Sequence, residues 1–270
     1  MTADIEIIDL TPGNIAEYGV CGYKDAGKHK ELRNKIEWFK TYYSKGLRIK
    51  ALISAKGGYQ GMIEYLPGKY AHRPVNAEGY MFIHCLFVGF KNEFKGKGYA
   101  SALIDACIQD AKNQQMSGVA VVTRKGSFMA DNAIFMKKGF EVVDKAKPDF
   151  ELLVQKINLQ AENPGFKPEM NGNLRYYQDG LTIIRSPQCP YTEKNVQAII
   201  ETATRKFNLK TKLIDLNDAE SAQNNPCAFG TFAIIFKGEI ISHHPISNTR
   251  FENIMNNKKI RITFPIEPTD

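Results

Sequence analysis

Tyr80-Met81-Phe82-Ile83-His84-Cys85-Leu86-Phe87-Val88, followed after a short connection by Lys95-Gly96-Lys97-Gly98-Tyr99-Ala100-Ser101, is the stretch on which the reading of this 270-residue chain turns. The first run is strongly apolar and short, as a buried strand requires. The second is a loop with glycines at 96 and 98 that opens a helix. Over residues 101–113, Leu103, Ile104, Cys107, Ile108 and Ala111 recur at helical spacing. Glycine lets backbone approach a phosphate with no side chain in the way. The free amides and positive dipole end of the helix's first turn then bind the anion. Lys95 and Lys97 add charge beside it.

Outward from this unit, the N-terminal side predicts a strand over 5–10, a helix over 28–44, strands over 47–54 and 59–65 about the Gly57-Gly58 turn, and a loop over 66–76. On the other side come a strand over 119–123, a short helix over 130–138 closed by Gly139, and strands over 140–143 and 150–157. This order makes a mixed α/β layer structure, an α+β mixed sheet. Residues 159–180 carry Asn163-Pro164-Gly165, Pro168 and Asn171-Gly172-Asn173 and read as a linker. A second unit then begins, with strands over 181–185, 211–216, 231–236 and 240–243 and helices over 191–206 and 249–256. The expected division is 1–158, a linker over 159–180, and 181–270.

Composition excludes several classes. Hydrophobic residues are 43% and charged residues 24%, as in a globular protein. No apolar run reaches membrane-spanning length, and the first six residues carry acidic side chains rather than a signal-peptide core. The net charge of +7 comes from basic residues spread along the chain, which argues against nucleic acid as the partner. The five cysteines show neither zinc spacing nor a disulfide framework, so no metal and a reducing cytoplasm are expected.

The strand, Lys95 to Ala100, the helix, the next strand and then Asn132-Ala133-Ile134-Phe135-Met136-Lys137-Lys138-Gly139-Phe140 together resemble the GNAT superfamily of N-acetyltransferases. The resemblance spans about residues 1–157. It implies the GNAT acyl-CoA N-acyltransferase fold, a mixed seven-stranded sheet with a strand pair that splays to admit acetyl-CoA. The pantetheine arm would lie along Leu86, Phe87 and Val88. Lys95, Gly96, Lys97, Gly98, Tyr99, Ala100 and Ser101 would hold the pyrophosphate, and Asn132 would lie near the cofactor. A lysine stands where the family's loop carries Arg or Gln, and the connection from Val88 is slightly long. Phe135 replaces the tyrosine with which many members protonate the departing thiolate.

The implied reaction is direct attack of a primary amine, on a small molecule or peptide, on the thioester of acetyl-CoA. An amine of ordinary basicity is protonated at neutral pH and needs a proton acceptor. Glu64, in the apolar Met62-Ile63-Glu64-Tyr65, and His84, which shares strand parity with Leu86 and Val88, are the candidates.

The second unit opens on strand 181–185 followed by Cys189-Pro190-Tyr191-Thr192 and a helix, which resembles the thioredoxin and glutaredoxin superfamily. A cysteine at a helix N-terminus has a lowered pKa. Thr192 replaces the resolving cysteine, and Gly230-Thr231 stands where that family has a cis-proline. Cys227 is then the candidate to resolve a Cys189 disulfide. Acetyltransferase, linker and thioredoxin-like unit together resemble bacterial GNAT proteins with a YoaP-like C-terminal domain. Two further readings stay open: a thiol-redox or thiol-sensing protein using Cys189, and a non-catalytic acyl-CoA-binding module.

Overall fold

Near-continuous apolar runs in the middle strands of the N-terminal half build a sheet whose centre is covered on both faces. The computed structural model describes residues 5–89 and 91–258. The expected unit boundaries at residues 1–4 and 259–270 lie outside these. The chain begins with β1 (Ile5–Leu10), a single helical turn α1 (Ile15–Tyr18), α2 (Lys30–Tyr43), β2 (Arg48–Ser54) and β3 (Gly58–Pro67). A two-residue β4 (Val75–Asn76) precedes β5 (Tyr80–Val88), α3 (Tyr99–Asn113) and β6 (Gly118–Thr123). Then follow α4 (Asn132–Met136), β7 (Glu141–Ala146) and β8 (Phe150–Lys156). Seven strands assemble in the order β1-β2-β3-β5-β6-β8-β7. All neighbours are antiparallel except β5 and β6, which run parallel.

One face of this sheet carries α3 and α4. Leu103, Ile104 and Cys107 of α3 and Phe135 of α4 pack on Met81, Ile83, Val119 and Val121. The other face is shared. Over β1, β2 and β3 lies α2, whose Leu32, Ile36, Trp38, Phe39 and Tyr42 are buried. Burying such a side chain contributes roughly 1.5–3 kcal/mol each. Over β5, β6 and β8 lies the C-terminal half of the chain.

That half contains β9 (Gly165–Phe166), β10 (Leu181–Arg185), α5 (Val196–Phe207), β11 (Thr211–Asp215), α6 (Ala219–Gln223), β12 (Phe232–Phe236), β13 (Glu239–Ser242) and α7 (Asn248–Asn257). Its four-stranded sheet has the order β11-β10-β12-β13. β10 is parallel to β11 and antiparallel to β12, and β12 is antiparallel to β13. Phe82, Val122, Phe150 and Leu152 of the first sheet share one apolar cluster with Ile183, Ile199, Phe232 and Phe251 of the second half.

Residues 159–180, read by composition as a linker, are packed. Gly165 and Phe166 pair with Asn76 and Val75, Met170 is buried, and Leu174 and Tyr177 lie against the shared cluster. Their polar, glycine-containing sequence conceals a few apolar anchors, which suffice to lay the segment on the molecule. The helix expected over 191–206 is also shorter. Pro190–Thr192 forms one 3-10 turn, Asn195 takes a left-handed conformation (φ 65°), and the helix starts only at Val196.

Candidate functional site

The site begins with a bulge. On β3, Glu64 opposes Cys85 while Tyr65 opposes Ile83, so His84 is the extra residue on β5. A bulge puts two successive side chains on one face and re-aims the strand. Met81, Ile83 and Leu86 accordingly face α3, whereas His84, Cys85 and Phe87 face the opposite side. The expected shared face of His84 and Leu86 is therefore corrected: the bulge breaks the alternation between them.

The same bulge accompanies a fork. β5 and β6 pair only from Tyr80↔Gly118 to Ile83↔Val121, while β6 continues along β8 to Thr123. Beyond Ile83, β5 no longer pairs with β6. A cavity of about 260 Å³ fills the fork, walled by Leu86 and Phe87 of β5, Val121 and Val122 of β6, and Phe135 behind them. On the far side its walls are Cys21, Phe128, Cys189 and Tyr191. The cavity thus passes through the sheet, and the C-terminal half closes its outer end.

Leaving the open end of the fork, the chain forms the glycine loop. Gly96 and Gly98 have φ +67° and +82°, and a Cβ built on either meets nothing within 4 Å. Gly98 is the N-cap residue of α3, so the first-turn amides of the helix face open space. The residues present therefore fit a pyrophosphate: bare backbone, helix dipole, and Lys95 and Lys97 alongside. Asn132, at the start of α4, donates to Glu151 (2.7 Å) and does not line the cavity. Val88 also lies beyond the cavity wall.

Glu64 and His84 are brought together. Glu64 is fully buried and paired with Lys35 of α2, which is equally buried. Its Oε1 accepts from Gln188 Nε2 (2.6 Å), and Lys35 Nζ also donates to Gln188 O (2.6 Å). Burial alone would raise the Glu64 carboxyl, but Lys35 and His84 outweigh it and hold it at about 2. His84 Nε2 accepts the backbone N–H of His72 (2.9 Å), which leaves the ring proton on Nδ1, 3.3 Å from Glu64 Oε1. Burial lowers the His84 pKa despite that carboxylate, so the ring is neutral. His72 in turn accepts from Trp38 Nε1 (3.0 Å), and burial lowers it to about 3.

Cys189 is partly buried at the cavity, ahead of a single 3-10 turn rather than a long helix. Burial raises its pKa against the lowering effects of the Tyr191 amide, Lys35 and Arg73. The activated thiolate expected from a helix N-terminus is corrected on that ground. Cys227 lies against His243 (Sγ to Nδ1 3.4 Å) and does not line the cavity. The thiols that share the cavity with Cys189 are Cys21 and Cys85. Thr192, in the resolving position, has its hydroxyl 2.8 Å from Ser186 O and Cys189 O and holds the loop closed. No cluster suited to a metal ion occurs among the described residues, and no helix there is long and apolar enough to cross a membrane.

Lys35, Gln188 and Phe128 belong to this site and were not singled out from sequence, and Tyr191 was named only within the Cys189-Pro190-Tyr191-Thr192 motif. Only Lys35 left a signal: it interrupts the apolar stripe of Leu32, Ile36 and Phe39, where a lysine is rare without a buried partner. The others converge from segments far apart in the chain.

Over 252 residues, 92% of this chain and 98% of the relative, the sequence is 31% identical to an N-acetyltransferase of Bacillus subtilis (strain 168). Among solved structures, PaiA N-acetyltransferase of Thermoplasma acidophilum in complex with coenzyme A aligns at 16% identity and a TM-score of 0.39, over 57% of this chain and 99% of that one. The ribosomal-protein-alanine N-acetyltransferase of Brucella melitensis aligns at 16% identity and a TM-score of 0.39, over 56% and 99%. Residues 211–253 match the family model described as YoaP-like. The Bacillus relative carries the name uncharacterized N-acetyltransferase YoaP, and this chain belongs to its family of N-acetyltransferases.

Proposed function

We propose that the protein moves an acetyl group from acetyl-CoA to the primary amine of a small molecule or peptide by direct attack. The observation that carries this is the fork at Ile83 and Val121 with the bare glycine loop at its mouth. Residues 95–101 would hold the pyrophosphate, and the edge of β5 at Leu86, Phe87 and Val88, past the point where β5 leaves β6, would receive the pantetheine as an added strand. Asn132 at the head of α4 would turn from Glu151 to the cofactor. Backbone N–H groups of the same edge would stabilise the developing oxyanion.

His84 and Glu64 are assigned as positioning residues. Both His84 nitrogens are already engaged, and the Glu64 carboxylate is held by Lys35, His84 and Gln188. Their network fixes the bulge, and the bulge aims the cavity wall. His84→Ala and Glu64→Gln should each lower kcat with little change in acetyl-CoA affinity, and neither should shift the pH profile of kcat. A profile whose acidic limb disappears in His84→Ala would make the histidine the base instead.

The C-terminal half is proposed as a thioredoxin-like unit over about 181–270, following the acetyltransferase unit over 1–158. Support comes from its β10-α5-β11-α6-β12-β13-α7 order and one-parallel, two-antiparallel sheet. Cys227 is buried and Cys189 partly buried, and burial raises the pKa of both, which favours a wall for the acceptor cavity over a redox role. A cytoplasmic, reducing location suits five free cysteines. The test of the activity is mass-spectrometric detection of acetylated product from an amine panel, alongside calorimetric titration with acetyl-CoA. Failure to bind acetyl-CoA would sink the reading.

A further inference from the structure

We propose that the acceptor is an apolar, weakly basic amine of the aryl- or heteroarylamine type, held against the paired rings of Phe128 and Tyr191 where the two halves of the chain meet. The inference rests on the acetyltransferase reading and narrows its substrate. Three independent observations carry it.

The first is the wall. Phe128 and Tyr191 pack on each other, 6.0 Å between ring centroids and tilted by 57°, as one aromatic wall. The Tyr191 hydroxyl donates to Cys21 O (2.8 Å), which pins its ring across the junction. Phe128 takes φ 68°, a conformation that bulky residues seldom adopt; the residue is 47% exposed and lines the cavity. Thiols of Cys21, Cys85 and Cys189 complete the wall. Such a surface suits a flat apolar ring.

The second is charge. No carboxylate lines the cavity to pair with an ammonium. The lining groups that titrate are all uncharged at neutral pH. Burial pushes Cys85 up to about 12 and Tyr191 up to about 12, raises Cys21 and Cys189, and lowers His84. Behind the wall stand two cations, Lys35 and the buried Arg73, against the single carboxylate of Glu64. Arg73 Nη2 donates to His84 O (3.3 Å), and its Nη1 has no partner among the described residues. A protonated amine entering here would be desolvated and would meet net positive charge.

The third is the missing proton machinery. His84 has both nitrogens occupied, and Phe135, fully buried behind the fork, donates nothing. An amine that arrives uncharged needs neither group. Its nitrogen attacks the thioester carbonyl, the new C–N bond forms as the C–S bond breaks, and the electron pair leaves on sulfur. The proton shed by nitrogen passes to the departing thiolate, giving an amide and free CoA. An alkylamine of pKa about 10 offers only about one molecule in a thousand in that form at pH 7.

The test is kcat/KM for para-substituted anilines against benzylamine, spermidine and a lysine peptide, at saturating acetyl-CoA. Aniline turnover should be level from about pH 6 to 8, while benzylamine should be about a hundredfold poorer at pH 7 and rise about tenfold per pH unit. Phe128→Ala and Tyr191→Ala should raise KM for aniline about tenfold, with acetyl-CoA affinity unchanged, as expected for a lost ring contact. Bound acetyl-CoA with no aniline turned over, or benzylamine or the peptide matching aniline with a level profile, would overturn the inference alone. Loss of acetyl-CoA binding itself would instead strike the acetyltransferase reading.

Discussion

Glu64 accepts hydrogen bonds from Lys35, His84 and Gln188, and each partner fixes a different part of the molecule. Removing the cation leaves a buried carboxylate uncompensated. Lys35→Met should therefore cost about 3–5 kcal/mol, and the double variant Lys35→Met/Glu64→Gln should recover much of it. Urea denaturation midpoints of Lys35→Met, Glu64→Gln and the double variant check this. Acid should weaken the fold by two routes with the same sign. The unfolded chain binds a proton at His72 below about 6.5, while the folded ring stays neutral down to about 3. Stability is thus lost progressively as the pH falls through that window. Glu64 adds a second loss between its ordinary 4.5 and about 2, because its folded carboxyl resists protonation. His72→Gln, measured by urea midpoints between about pH 7 and 4.5, should flatten the upper part of the curve.

Among the elements, β5 was fully legible: its run of apolar residues, broken only by His84, predicts the strand from Tyr80 to Val88, and that is its extent. So were the glycine loop and the helix behind it, because glycine spacing and helical periodicity are local signals. The bulge at His84 was not, since it depends on the register against β3, a relation between residues about twenty positions apart. The start of α5 was missed for the opposite reason, a single left-handed residue at Asn195 that a periodicity count passes over. The loop carries its own prediction. Gly98 has φ +82° and open space around its Cα, so Gly98→Ala should cost only about 1 kcal/mol of stability from backbone conformation. A methyl there would occupy the cradle that a phosphate needs. Acetyl-CoA binding by calorimetry should weaken by about tenfold or more, about 1.4 kcal/mol. An unchanged affinity would remove the loop from the cofactor site.

Across the whole molecule, two halves that read as separate units share a core. Phe82, Val122, Phe150 and Leu152 face Ile183, Ile199 and Phe232. The sequence marks each half as globular but is silent on their junction, because burial on both faces of a sheet looks the same whichever partner covers it. Residues 1–158 alone would expose that apolar face. This fragment should aggregate or bind a hydrophobic dye, whereas the full chain should melt in one transition. A soluble fragment with an undiminished melting temperature would argue for independent units.

The placement of Gln188 has a further meaning in time. Glu64 is within the first quarter of the chain, yet one of its partners lies past the middle, on a loop held by a sheet whose central strand β12 ends only at Phe236. A chain growing on the ribosome from its N-terminus can complete strands β1 to β8 early and still lack the outer wall of the cavity. A fragment that stops before β10 therefore carries residues 95–101 but lacks Cys189 and Tyr191, which wall the cavity's outer end.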